Sequence, residues 1–244
     1  MLIEGPRLLA EALDASVVLR DVFIDRPLSV TLTAMLDRAG VEVTEVLPGL
    51  LDRVGDVVAS QGVVAVADLP APGTLSSLTG GLALVLVDIA DPGNVGAMLR
   101  TADAVAAIGV ALVGHTVDWT NPKVVRASAG AVFRVPIVVE ASPAAALATL
   151  SAQGVRCIGA VVHGGRPHYQ VDLTGSVAIV VGNETQGLSE ELCGVVDELM
   201  HLQMPGRAES LNVAMAATVL AFESVRQRGP AHNTLAIEAD AGQA

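Results

Sequence analysis

Three short polar clusters interrupt an otherwise aliphatic chain, and each follows a run that reads as a β-strand. In "DIADPGNVGAMLRTADA", residues 88–104, a Pro-Gly turn leads into a helix carrying Asn94 and Arg100. The helix is expected to begin near Asn94, which either caps it or turns its amide into a site. Arg100, six residues on, is expected on roughly the same side. It is either a surface charge or an anchor for phosphate or carboxylate. In "VGNETQGLSEEL", residues 181–192, Gly182 and Gly187 bracket Asn183 and Glu184, and Ser189 is placed to cap the next helix. Glycines let backbone approach a ligand closely, and Glu184, the one acid inside the loop, is either solvated or part of a site. In "MPGRAESLNVAMAATVLAFE", residues 204–223, Arg207, Glu209, Ser210 and Asn212 crowd the mouth of a helix that is apolar almost all round. Such a helix is expected to be buried. Ser210 is its candidate cap, and a buried Asn212 amide needs partners. No G-x-G-x-x-G fingerprint and no Walker lysine accompany these loops, which excludes the common phosphate cradles.

The elements that must position these clusters fall into two halves. From Met1 to about Asp68, "RLLAEAL", "LTAMLDRAG" and "LLDRVGDVV" read as helices, and "VVLRDVFI", "VEVTEV" and "QGVVAVAD" as strands. This half, residues 1–68, is a small α/β unit. "LPAPGTLSSLTGG", residues 69–81, has little to bury and reads as a linker. Residues 82–228 alternate short aliphatic strands ("LALVLVDI", "VALVG", "VPIVV", "VRCIGAVV", "VAIVVG", "LMHLQM") with helices near 94–107, 122–130, 143–153 and 189–195, before the final helix. Near-continuous apolar strands suit a parallel sheet covered on both faces, so the fold class is α/β. Ligands of such sheets collect beyond the carboxyl ends of the strands, where the polar clusters lie. Residues 229–244 read as a flexible tail.

Composition narrows the function. Of 244 residues 52% are hydrophobic and only 2% aromatic, so the core is built from Val, Ala and Leu. No apolar run reaches the ~18 residues that a membrane span needs, and Glu4 and Arg7 interrupt any signal-like start, so a soluble, cytoplasmic protein is expected. Cys157 and Cys193 offer neither a disulfide framework nor metal-site spacing; they read as small buried hydrophobes, and no metal is expected. The net charge of −12 argues against generic nucleic-acid binding. Its distribution is uneven: residues 1–70 carry −6, residues 136–244 carry −6, and residues 91–135 carry +1. Lys123, Arg126 and Arg134 make up most of that single non-acidic region and are candidates for gripping phosphates.

The three clusters, in this order, resemble the signature motifs of the SpoU (TrmH-type) family of RNA 2′-O-ribose methyltransferases in the SPOUT superfamily. "PGNVGAMLRTADA" is similar to the first motif, "IVVGNETQGLS" to the second and "LQMPGRAESLNVAMAATVLAFE" to the third; "NPKVVRASAGAVFRVP" between them also looks like this family. "IEGPRLLAEAL" and "SQGVVAVAD" resemble the L30e-like substrate-binding domain of several ribosomal-RNA members, so the likeness covers nearly the whole chain.

The resemblance implies a deep trefoil knot in the second half, a homodimer, and S-adenosylmethionine (AdoMet) bound bent in the knot. It implicates Gly182, Asn183, Glu184, Gly187, Leu202, Met204, Ser210 and Leu211 in holding the cofactor, with Ala160, Val161 and Val162 lining the same pocket. It implies methyl transfer to a ribose 2′-oxygen, of ribosomal RNA in preference to transfer RNA. Arg100 is then the central catalytic residue. A guanidinium stays protonated above about pH 12, so gripping phosphate or stabilising a developing alkoxide suits it better than acting as a base. Asn94 would orient Arg100 or the ribose; Ser210 and Asn212 would shape the acceptor and cofactor sites; Glu184 would hold the motif geometry or the cofactor. Residues 1–70 are net −6, although phosphate contacts normally supply much of the affinity for RNA; the alternatives are a basic segment ahead of Met1 in a longer native chain, or docking by shape and a few arginines. A non-catalytic RNA-binding or ribosome-assembly protein on the same scaffold is the alternative.

Overall fold

The computed structural model describes residues 1–54 and 61–229. The first half forms a four-stranded sheet from β1 (Leu2–Glu4), β2 (Leu19–Ile24), β3 (Val43–Glu45) and β4 (Val63–Ala67), ordered β1-β4-β2-β3. Helices α1 (Pro6–Asp14) and α2 (Val30–Ala39) pack on it through Leu8, Leu9, Leu32 and Leu36. Ser29 caps α2 by accepting from the Leu32 N–H at 3.3 Å, and Gly40 ends it at φ 65°, where a side chain would strain. The expected helix over "LLDRVGDVV" is a single 3₁₀ turn, Leu51–Arg53, and its remainder lies mostly outside the described residues. The tail expected from 229 onward also lies outside them, apart from Gly229.

The second half builds a seven-stranded sheet from β5 (Leu82–Val87), β6 (Gly109–Val113), β7 (Ile137–Glu140), β8 (Arg156–Ala160), β9 (Arg166–Pro167), β10 (Val177–Val181) and β11 (Glu198–His201). Its order is β7-β6-β5-β10-β8-β11-β9, and every pairing is parallel. Two residues long, β9 leaves no periodic signal in the sequence. The side-chain period of two sorts β5 into layers. Leu82, Leu84 and Leu86 enter the layer covered by α3 (Pro92–Ala104), α4 (Pro122–Ser128) and α7 (Val213–Arg228). Ala83, Val85 and Val87 enter the layer covered by α5 (Pro143–Ala152) and α6 (Glu190–Val195). Burial of each such leucine contributes about 1.5–3 kcal/mol. Cys157 belongs to the second layer, and burial pushes its thiol up to about 12; Cys193 is only half-buried.

Two expectations need correction here. The stretch 69–81 does bury side chains: Leu75 and Leu78 pack into the second layer, and Leu78 lies so close to Gly109 that a Cβ there would come within 2.6 Å of it. Arg126 and Arg134 are not free cations. Arg126 donates to Glu4 at 2.6 Å, and Arg134 bonds Glu11 at 2.5 Å and Asp103 at 2.8 Å. Both arginines tie the second half to carboxylates of the first, so their charge is largely spent inside the molecule. Lys123 remains exposed.

Gly96 fixes how closely α3 and α4 approach. A Cβ on it would lie 2.4 Å from the Ala127 Cβ and 2.9 Å from the Ala127 carbonyl carbon, and backbone cannot retreat as a flexible side chain does. We expect Gly96→Ala to destabilise the fold by about 1–3 kcal/mol, seen as a lowered urea midpoint with an unchanged slope.

Candidate functional site

The carboxyl ends of β5, β8, β10 and β11 converge, and the polar clusters meet there. The first cluster starts two residues earlier than expected. Pro92 is the first residue of α3, and the cap is Asp91, whose carboxylate accepts from the Asn94 N–H at 2.9 Å. Aspartate followed by proline at the first helical position is a start signal that was legible in the sequence. With the cap supplied by Asp91, Asn94 is released for another use. It lies on the buried face of the first turn, 9% exposed, with its amide turned toward the loop after β10.

That loop is folded tightly on itself. The Gly187 N–H donates to the Asn183 carbonyl at 2.9 Å, and the Asn183 side chain accepts from the N–H groups of Thr185 and Gln186 at 2.9 and 3.2 Å. Its own Nδ2 donates to the Asp88 carbonyl at 2.8 Å, which ties the loop to the end of β5. A Cβ on Gly182 would sit 2.3 Å from the Gly187 carbonyl carbon, so glycine is required for this closure. Glu184 is thereby presented to α3. Its carboxylate accepts from Asn94 Nδ2 at 2.9 Å, from the Asp91 N–H at 3.1 Å and from the Ala90 N–H at 3.3 Å. Partial burial works to raise its pKa, but the bonds from Asn94 and the backbone outweigh it and hold the carboxyl below the ordinary glutamate value.

The third cluster closes the chain of amides. The cap of α7 is Asn212, not Ser210: its Oδ1 accepts from the N–H groups of Ala214 and Met215 at 2.9 and 3.3 Å. Its Nδ2 donates to Asn94 Oδ1 at 2.9 Å. Thus Glu184, Asn94 and Asn212 form one hydrogen-bonded series from the β10 loop through α3 to the start of α7. Asn212 has the partners the sequence demanded, although the residue itself is exposed. Nor is α7 buried all round: Ala214, Ala217, Leu220 and Ala221 face the core, whereas Met215, Val219 and Phe222 are 62%, 46% and 49% exposed. A part-buried pair of hydroxyls, Thr101 and Thr218 at 2.7 Å, ties α3 to α7, a link that no local signal in the sequence marks.

Beside this series lies a cavity of about 350 Å³, within the range typical of small-molecule sites. Ala160, Val161, Val162, Gly182, Asn183, Glu184, Gly187, Leu202, Met204, Ser210 and Leu211 all line it, as do Thr185, Gln186, Leu188, Met200, Val213, Ala216 and Leu220. His201 bonds the Gly164 carbonyl at 2.8 Å and steadies the 161–165 wall. Apolar walls with backbone polar groups exposed at glycines fit a cofactor that has an adenine face, a sugar and a charged amino-acid end. Gly182 is the sensitive point of this fit.

Arg100 stands apart. It is exposed on α3 and does not line the cavity. At 3.6 residues per turn, six residues leave it about 120° around the helix from Asn94, so the two do not share a side as expected. Among the described residues it has no ion pair. No group of three or more His, Cys, Asp or Glu side chains among the described residues is arranged to hold a metal, and no described helix is long and apolar enough to cross a membrane.

A model of the SpoU rRNA Methylase family matches residues 81–222. The chain is 39% identical over 199 residues to the 23S rRNA (guanosine-2'-O-)-methyltransferase RlmB of Xanthomonas axonopodis pv. citri, covering 78% of this chain and 80% of that one. It is 30% identical over 222 residues to the 23S rRNA (guanosine(2553)-2'-O)-methyltransferase RlmP of Bacillus subtilis, covering 91% and 86%. The crystal structure of the SpoU methyltransferase AviRb from Streptomyces viridochromogenes in complex with AdoMet superposes with a TM-score of 0.83 at 32% identity, covering 93% of this chain and 90% of that one.

Proposed function

Because the chain belongs to the SpoU rRNA methylase family, we propose that it transfers a methyl group from AdoMet to a ribose 2′-hydroxyl of ribosomal RNA. The observation that carries this reading is one cavity lined by the second and third polar clusters, to which the Glu184–Asn94–Asn212 series ties the first. AdoMet supplies an electrophilic methyl group when bound. The protein's part is to hold, orient and stabilise charge. Gly182, Asn183 and Gly187 present backbone groups to the cofactor, while Ala160, Val162, Leu202, Met204 and Leu211 enclose its apolar faces. Ser210 offers a hydroxyl at the cavity mouth.

Glu184, Asn94 and Asn212 act as positioning residues. Both ends of the Asn94 amide are occupied, so it orients the β10 loop and the α7 entrance instead of Arg100. Arg100, exposed and without a carboxylate partner among the described residues, grips an RNA phosphate or stabilises the developing alkoxide. Lys123, exposed and without an ion pair among the described residues, is a further cation of the non-acidic region for phosphate contact. Arg126 and Arg134, bound to Glu4, Glu11 and Asp103, keep the two halves in register instead.

The rest of the family's architecture belongs to the same reading. The exposed apolar stripe Met215, Val219 and Phe222 on α7 supports a homodimer. The interleaving of β10 between β5 and β8, with β11 beyond β8, is compatible with a deep knot. The four-stranded first half supports an L30e-like substrate-binding domain, and a ribosomal substrate supports a cytoplasmic location.

The test is to map 2′-O-methylated nucleotides in RNA from cells with and without the gene. A ribosomal position that loses its methyl group is the expected result; an unchanged map sinks the assignment. Calorimetry with AdoMet separates the non-catalytic alternative, which predicts no binding.

A further inference from the structure

Among the described residues, the non-glycine positions with positive φ are Ser16, Asp88, Ala106 and Ala129. Ser16, Ala106 and Ala129 lie at, or one residue past, the C-terminal cap of a helix, where a left-handed residue is ordinary. Asp88, at φ 55°, follows the strand β5 instead, so no helix end accounts for it. A residue with a Cβ occupies this region at a cost that its surroundings must offset.

The offset comes from its own carboxylate. Asp88 Oδ1 accepts from the His115 N–H, in the loop after β6, at 2.7 Å. Gly114, at φ 68°, leaves room for that carboxylate, since a Cβ there would lie 2.3 Å from Asp88 Oδ1. With the backbone turned in this way, the Asp88 carbonyl accepts from Asn183 Nδ2 at 2.8 Å. The next residues are fixed from the same two sides. The Ile89 N–H donates to Thr116 Oγ1 at 3.2 Å, and the Ile89 carbonyl accepts from the Val117 N–H at 2.9 Å. The N–H groups of Ala90 and Asp91 donate to Glu184 at 3.3 and 3.1 Å. Residues 88–91 are therefore a strut between the loop after β6 and the loop after β10, and the latter lines the cavity. Asp88 itself does not line it.

We propose that Asp88 is a positioning residue for AdoMet. Its carboxylate, pinned on the His115 N–H, holds the left-handed backbone that aims the Asp88 carbonyl at Asn183, and so sets the 182–187 loop against the cofactor. The proposal rests on the methyltransferase reading above for the identity of the ligand; the mechanical link stands on the geometry.

The link is tested in the full chain without AdoMet by residue-resolved hydrogen exchange, and its consequence by calorimetry with AdoMet. Asp88→Ala removes the acceptor and leaves a Cβ in a backbone region that it disfavours. The expected result is about tenfold faster exchange of the Thr185, Gln186 and Gly187 amides and about tenfold weaker AdoMet binding, the scale of one lost hydrogen bond to a charged group. Asp88→Asn keeps an oxygen for His115 and tolerates this backbone, so it is expected to recover most of both losses. Asp88→Gly takes the same φ freely but has nothing to pin it; it is expected to fall between the two, and it decides if the alanine variant does not fold. Asn183→Ala removes the amide through which Asp88 acts, so adding Asp88→Ala to it should weaken AdoMet binding little further. Exchange of the 185–187 amides that stays unchanged while the buried strands quicken marks a role in stability alone and overturns the proposal. So do an unchanged AdoMet affinity, an asparagine variant as weak as the alanine one, or a full further loss on top of Asn183→Ala. If the unaltered chain does not bind AdoMet, it is the methyltransferase reading that falls, and the exchange of the 185–187 amides still decides the link.

Discussion

Arg100→Ala is expected to abolish methyl transfer to ribosomal RNA while leaving AdoMet affinity essentially unchanged. The separation follows from geometry. Every residue expected to hold the cofactor lines one cavity, and Arg100 does not. Its guanidinium projects from α3 into solvent, with no carboxylate among the described residues to neutralise it. The contrast with Arg134, held between Glu11 and Asp103, shows what a structural arginine looks like in this fold. A guanidinium does not lose its proton near neutral pH, so the role proposed for Arg100 is charge stabilisation. Removing one such donor costs about 10²–10³ in kcat. Arg100→Lys keeps the charge and loses the planar fork, so it should recover only a small part of the activity. Tritiated methyl incorporation into ribosomal RNA gives the rate, and calorimetry gives the cofactor affinity. Turnover retained in the alanine variant rejects the assignment; a parallel loss of AdoMet binding relocates Arg100 to the cofactor site.

What the sequence disclosed and what it hid divide along physical lines. The strands of the parallel sheet were legible because burial on both faces leaves continuous aliphatic runs, as in "LALVLV" and "VAIVV". The cavity-lining set was legible only through the resemblance to known motifs; no periodicity would have brought Ala160 and Leu211 together. Two caps lie three and two residues from the candidates that the sequence offered. Asp91 and Asn212, not Asn94 and Ser210, accept from the first helical N–H groups. In each case two polar residues compete within a few positions, and local sequence does not say which will turn outward. The fates of Arg126 and Arg134 were hidden altogether, since Glu4 and Glu11 are more than 120 residues away in the chain. Charge bookkeeping along a sequence counts such arginines as free; only the fold shows them spent. The exposed side of α7 was concealed for a related reason: an apolar stripe that faces solvent in one chain has the same composition as one facing the core.

The series Glu184–Asn94–Asn212 makes the second large prediction. Asn94→Ala should destabilise the fold by about 1–3 kcal/mol, the cost of leaving a carboxylate oxygen and an amide short of a partner. AdoMet affinity should fall as well, because Glu184 belongs to the loop that lines the cavity. Asn94→Asp should be worse than Asn94→Ala at neutral pH. It replaces the donor at 2.9 Å from Glu184 with a second carboxylate, and like charges at that distance repel. Lowering the pH should then relieve the Asn94→Asp variant, as one of the two carboxyls takes a proton. The unaltered chain should respond in the opposite sense. Glu184 has a folded-state pKa below its unfolded value, so its contribution is complete above that unfolded value, about 4.3, and is lost as pH falls through the folded one. Urea midpoints of the three proteins between pH 7 and pH 3.5 measure both trends. Parallel pH profiles for Asn94→Asp and the unaltered chain would show that Asn94 and Glu184 are not coupled. Asn212→Ala supplies the cross-check. If the amides act as one unit, its effect combined with Asn94→Ala should be smaller than the sum of the two singly. Additive losses would mean that α7 is capped independently of α3, and that the three motifs lie side by side without sharing a mechanical link.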